Sequence, residues 1–126
     1  MPQKIPLTVL SEGITDLTLL NEWGDYLAKD HPDNRETALT SSQIRRFFGA
    51  VKRIQADFMH LKSEILLLEP KLAYAVGRSK QGAKIKEFYL MMSPLIRDIN
   101  QDKTKFKNFV SLFEAIVAYH KAANGK

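Results

Sequence analysis

Asp57, His60 and Glu64 stand at i, i+3 and i+7, a spacing that shares one face of a helix. Two carboxylates and an imidazole there could hold a divalent cation beside a phosphodiester and serve hydrolysis. No further cluster of carboxylates or imidazoles follows to complete and orient such a ligand set. A solvated polar face with a His60–Glu64 pair accounts for the same spacing. The reading is no metal site, no catalytic residues and no cofactor. Of the other histidines, His120 lies on an apolar helical seam, which fits a core-edge imidazole bonded to a carbonyl better than a ligand. There is no cysteine, so thiol nucleophiles, disulfides and Cys-bound zinc are excluded. No Gly-rich phosphate loop, G-x-S-x-G or H-E-x-x-H occurs.

The basic residues form a more coherent group. Arg45, Arg46, Lys52 and Arg53 project from the polar side of the helical pattern in 40–68, with small residues Gly49, Ala56 and Ser63 among them. Arg45 and Lys52 are seven residues apart, about 10 Å along a helix rising about 1.5 Å per residue. That reach spans roughly two phosphate steps of a single strand. Lys71, Arg78, Lys80, Lys84 and Lys86 then fall within sixteen residues that contain no acid. In 41–68 only Asp57 and Glu64 are acidic, too few to make this a salt-bridged face. Arginine grips phosphate bidentately and lysine acts as a mobile charge. No aromatic RNA-recognition motif or Cys/His finger is present, so contact with backbone and duplex shape is expected in place of base reading.

The elements that must position these residues are helices. Ile44, Phe47, Val51, Ile54, Phe58, Leu61, Ile65 and Leu68 repeat at alternating steps of three and four, the spacing of one continuous seam. This predicts a long central helix from about Thr40 to Glu69, capped by Thr40, Ser41 or Ser42. Residues 1–12 read as a tail or packed extended segment. Residues 14–29 read as an amphipathic helix, with Thr15 a candidate cap, Asp16 in its first turn and Trp23 in the core. His31–Leu39 reads as a loop. Pro70 opens a short helix that Gly77 ends, and Arg78–Gly82 connects onward. A helix from Ala83 carries Pro94, where a kink or a break with Ser93 as new cap is expected. The last helix runs from Lys103 to Ala122 after an Asp102 cap, ending at Asn124-Gly125. The fold class is all-α: a single helical bundle of about five helices over residues 1–126.

The 126 residues fit one domain, with 44% hydrophobic and 26% charged side chains, ordinary for a globular chain. No 18-residue apolar run is present, and the first ten residues do not read as a signal peptide. A cytoplasmic protein without a membrane partner is expected. The net charge of +5 is unevenly placed. Residues 1–40 hold three basic and seven acidic side chains, a net of −4; residues 41–126 hold 16 and seven, a net of +9. Such a basic part favours a polyanionic partner. Phe48 and Met59 lie off the main seam, either as an exposed apolar strip for protein contact, self-association included, or in a broad core.

Three segments, T-S-S-Q-I-R-R-F (40–47), P-K-L-A-Y-A-V-G-R (70–78) and F-E-A-I-V-A-Y-H-K (113–121), resemble in this order the small helical subunit of the type III-A CRISPR effector, the Csm complex. The resemblance covers about 40–121; residues 1–38 carry no part of it. It implies a small all-α structural protein without its own catalytic site. Copies of it would stack along the effector body beside other subunits and contact guide RNA and target RNA through basic side chains in antiviral defence. Arg45, Arg46, Lys71 and Arg78 fall within the matched segments; Lys52, Arg53, Lys80, Lys84 and Lys86 join them by charge and helix geometry. Two other readings stand beside it: a metal-dependent nuclease on Asp57, His60 and Glu64, and a protein-only helical adaptor using Phe48 and Met59.

Overall fold

The structure is a computed structural model and describes residues 1–123 and 125. Among these residues the chain forms seven α-helices: α1 (Thr8–Glu12), α2 (Thr18–Leu27), α3 (Ser41–Ala56), α4 (Phe58–Leu61), α5 (Leu68–Gly77), α6 (Ile85–Ile99) and α7 (Lys103–Ala122). The chain is all-α as expected, with more helices than the five anticipated, for two reasons. Residues 8–12, read as tail or extended chain, coil into α1, and the long central helix is not continuous.

Helix α3 starts where the sequence places it. The Thr40 hydroxyl accepts from the Gln43 N–H at 3.1 Å, and the Gln43 side chain accepts from the Thr40 N–H at 2.9 Å. This reciprocal box satisfies two backbone donors at the helix start. The helix then stops at Ala56, because Asp57 leaves helical geometry (φ −144°, ψ 58°). No proline or glycine causes this; the stop is a tertiary choice. Beyond it Phe58 lies against Phe106, tilted, at 5.6 Å between ring centroids. The chain passes through α4 and a 3-10 turn (Lys62–Glu64) before α5 packs against α3.

The hub is α7, the longest helix, in place of the expected 40–68 helix; α1, α2, α3 and α6 all pack on it. Asp102 caps it, its carboxylate accepting from the Lys105 N–H at 2.8 Å. The expected stop at Asn124-Gly125 includes Asn124, which lies outside the described residues. Phe113 is the centre of an aromatic group, edge-to-face with Phe47 at 5.2 Å and Phe48 at 5.4 Å and tilted against Phe88 at 6.0 Å. These rings tie α3, α6 and α7 together. Trp23 is core as read, its indole N–H donating to the Gln3 carbonyl at 2.8 Å. His120 is buried with Nε2 2.6 Å from the Leu39 carbonyl oxygen, the role its seam position predicts.

Two further expectations shift. Helix α2 begins at Thr18 rather than near residue 14, and Asp16, not Thr15, accepts from the Thr18 N–H at 2.9 Å. Helix α6 runs through Pro94 without a break. Pro94 removes the N–H that would serve the Leu90 carbonyl. Pro94 and Leu90 both face solvent, so water can take that carbonyl and the helix need not end.

Candidate nucleic-acid interface

Helix α3 presents its cations in two rows. At about 100° per residue, Arg45 and Lys52 share one row and Arg46 and Arg53 a second, about a quarter-turn away. All four are exposed. The Lys52 ammonium lies 5.4 Å from the centroid of the Phe48 ring, a cation–π contact at an exposed site. Arg53 forms an ion pair with Glu64. Both partners remain wet, so the pair is weak and a stronger anion can displace it.

Arg46 of the second row borders a groove between α3 and α5 with a volume of about 770 Å³. Lys71 on α5 and Arg78 just past its end stand with Arg46 around it. Three cations spread over 33 residues of sequence thereby meet at one place. Among the described residues, no ion pair engages Arg45, Arg46, Lys71 or Arg78. The position of α5 is fixed from behind by Glu69. The Tyr89 hydroxyl donates to one of its oxygens at 2.7 Å and Arg97 donates to the other at 2.8 Å. These bonds hold the Glu69 carboxyl below its ordinary value, the tyrosine contributing most.

The other predicted cations separate. Lys80 is exposed and donates to the Arg35 carbonyl, so it braces the 31–39 loop. Lys86 is exposed on the first turn of α6. Lys84 is the correction: it is buried, with 3% of its surface exposed. Its ammonium donates to the Tyr26 carbonyl at 2.6 Å and sits 3.7 Å from the centre of the Tyr26 ring. Its own N–H donates to the Thr37 carbonyl at 2.7 Å. Burial lowers its pKa and raises that of Tyr26 to about 12. Lys84 joins α2, the loop and α6, and offers nothing to an external phosphate.

The acidic constellation does not converge. His60 Nδ1 lies 2.8 Å from Asp57 Oδ1, and Glu64 turns to Arg53. The expected His60–Glu64 pair is therefore replaced, because the break at Asp57 and the 3-10 turn destroy the common helical phase. Among the described residues, no group of three His, Asp or Glu side chains is placed to hold a metal ion. The Phe48–Met59 strip is interrupted for the same reason: Phe48 packs on Phe113, while Met59 is 67% exposed.

One residue that the charge pattern passed over belongs to the groove. Tyr74 lines it and is 68% exposed, with the Arg78 guanidinium 5.6 Å over its ring. The sequence does carry a signal for it: Tyr74 is off the Leu68–Leu72 line, three residues after Lys71 and four before Arg78. Among the described residues, no helix is long and apolar enough to cross a membrane.

The family model described as Csm2 Type III-A matches residues 15–126. That span reaches 25 residues further toward the N-terminus than the segment opening at Thr40, taking in α2 and the loop after it. No curated protein and no solved structure matches.

Proposed function

The chain belongs to the Csm2 Type III-A family, a structural subunit family of the type III-A CRISPR complex, and on that premise we propose that it is the subunit's RNA-contacting, non-catalytic form. It associates with the other subunits of the complex, as its family does. Guide RNA and target RNA backbone run along Arg45 and Lys52 and across Arg46, Lys71 and Arg78, with Arg53, Lys80 and Lys86 at the margins. The complex acts in the cytoplasm, and the exposed Met59 and Leu66 are covered by a neighbouring subunit, a second copy included.

The observation that carries this reading is the meeting of Arg46, Lys71 and Arg78, without ion-pair partners among the described residues, at one groove beside the Arg45–Lys52 row. Cations left unneutralised on a rigid helical face favour a polyanion, and phosphates fit the arginine fork. Binding of labelled RNA by the full chain, followed by fluorescence anisotropy between about 50 and 200 mM salt, tests it. Affinity falls steeply over that range. Arg46→Glu weakens binding for any RNA sequence and makes the log–log salt dependence shallower by about one for each phosphate no longer neutralised. Arg53→Glu weakens it less, because Glu64 already shields that guanidinium. Salt-independent binding, or an Arg46→Glu variant with unchanged affinity, overturns the reading.

A further inference from the structure

We propose that the groove between α3 and α5 seats unpaired bases of an RNA strand, stacked on Tyr74, while Arg46, Lys71 and Arg78 hold the flanking phosphates. This rests on the RNA-binding reading and adds a preference to it, for single-stranded over duplex RNA.

The groove is not a simple phosphate track. Phe47, Leu72 and Tyr74 are among the residues that line it, together with three cations and no acid. Its volume of about 770 Å³ lies inside the range of sites that enclose organic ligands, roughly 300–1,000 Å³. A duplex would use only the cations, because its bases are stacked on one another and closed to the floor. An unpaired strand offers both chemistries at once, anionic phosphates for the rim and flat apolar faces for the floor. Lys71, Tyr74 and Arg78 sit at i, i+3 and i+7 along α5 and its C-terminal cap, so the ring lies between the two cations, about 10 Å apart along the axis at about 1.5 Å per residue. That reach is roughly two phosphate steps of a single strand, so a strand gripped by both cations places a base between them at the ring. The charge decides the occupant: an apolar protein segment would leave three cations facing it without partners. Stacking on a tyrosine is tolerant of sequence because every base has a π-face.

The test uses single-stranded RNA of about ten nucleotides carrying a central 2-aminopurine, and the same sequence as duplex, since stacking quenches that base and is the interaction at issue. The full chain quenches the single strand on binding. Tyr74→Ala removes the quenching and weakens single-strand affinity roughly tenfold, as expected for the loss of one base stack. Duplex affinity is unchanged, and Tyr74→Phe retains the original single-strand behaviour. Tyr74 is mostly exposed, so these variants fold. If Tyr74→Ala leaves the single strand unaffected, or weakens both RNAs equally, the base seat is wrong while the Arg46→Glu result still supports RNA contact. If Tyr74→Ala instead disrupts association with the other subunits and leaves RNA affinity intact, the groove is a protein seat and the proposal is overturned. If the chain binds neither RNA at any salt, both this inference and the reading beneath it fall.

Discussion

Two charged side chains show how little formal charge says about a residue's task. Lys84 belongs to an acid-free basic run, yet it is the one of the nine candidate cations that the fold buries, between Ala83 and Ile85 in the core. Its ammonium satisfies the Tyr26 carbonyl and meets that ring's face, contacts that offset the cost of taking a charge from water. Glu69 is the opposite case, an acid at the edge of the basic region that works by its bonds to Tyr89 and Arg97. Its folded-state pKa lies below the ordinary 4.5, so near that pH the native state binds fewer protons than the unfolded chain. The contribution is present above pH 4.5 and is lost as pH falls through the lowered native value. Thermal unfolding from neutral to acid pH therefore shows Glu69→Gln less stable at pH 7 and converging with the parent in acid. Parallel curves across the whole range would mean that the carboxylate contributes no such linkage.

At the scale of elements, the deciding event is the end of α3. A seam of eight apolar residues in three-four alternation describes one helix as far as Leu68, and every one of those residues is buried or half-buried in the fold. The apolar pattern is thus honoured, but by segments that turn at Asp57 and in the 3-10 stretch. Apolar spacing constrains which residues face inward; it does not require one axis to serve them all. Two glycines report how tightly the resulting helices sit. Gly49 lies in the interior of α3, with open space where an alanine methyl would stand, so Gly49→Ala raises stability by about 0.5–1 kcal/mol through backbone entropy. Gly24 lies where α2 crosses α7, and a Cβ there would stand 2.4 Å from Tyr119 Cβ and 2.8 Å from the His120 backbone nitrogen. Gly24→Ala pushes the two helices apart and costs about 1–3 kcal/mol. Urea unfolding midpoints of the two variants should move in opposite directions.

Across the whole molecule, the acidic N-terminal region is structural and the basic remainder carries the candidate interface. Residues 1–40 place α1 and α2 on the far-reaching α7. Leu10 is fully buried, Ile5 nearly so, and the Asn108 side chain donates to the Leu10 carbonyl at 2.6 Å. Leu10→Ala removes buried apolar volume against the hub and costs about 2–5 kcal/mol, measurable by denaturant unfolding. RNA affinity of the folded fraction stays as it was, because the groove is formed by other elements. The small loss expected of a mobile tail, a few tenths of a kcal/mol, would show that α1 is not part of the cooperative core.

The sequence alone determined the features that depend on local chemistry: the all-α class, the Asp102 cap and an α3 cap within Thr40–Ser42, Trp23 and His120 as interior residues, and the candidate cations on α3. Caps are decided by a hydroxyl or carboxylate within a turn of free N–H groups, and inward faces by periodicity, so neighbours in sequence suffice. The tertiary structure decided what depends on distant partners. It chose α7 as hub, stopped α3 at Asp57, sent Glu64 to Arg53 and buried Lys84 under Tyr26. Above all it brought α5 beside α3, joining Arg46 to Lys71, Tyr74 and Arg78. No periodicity carries that information, because packing two helices into a groove is settled by the total burial of the core, not by any local run of residues.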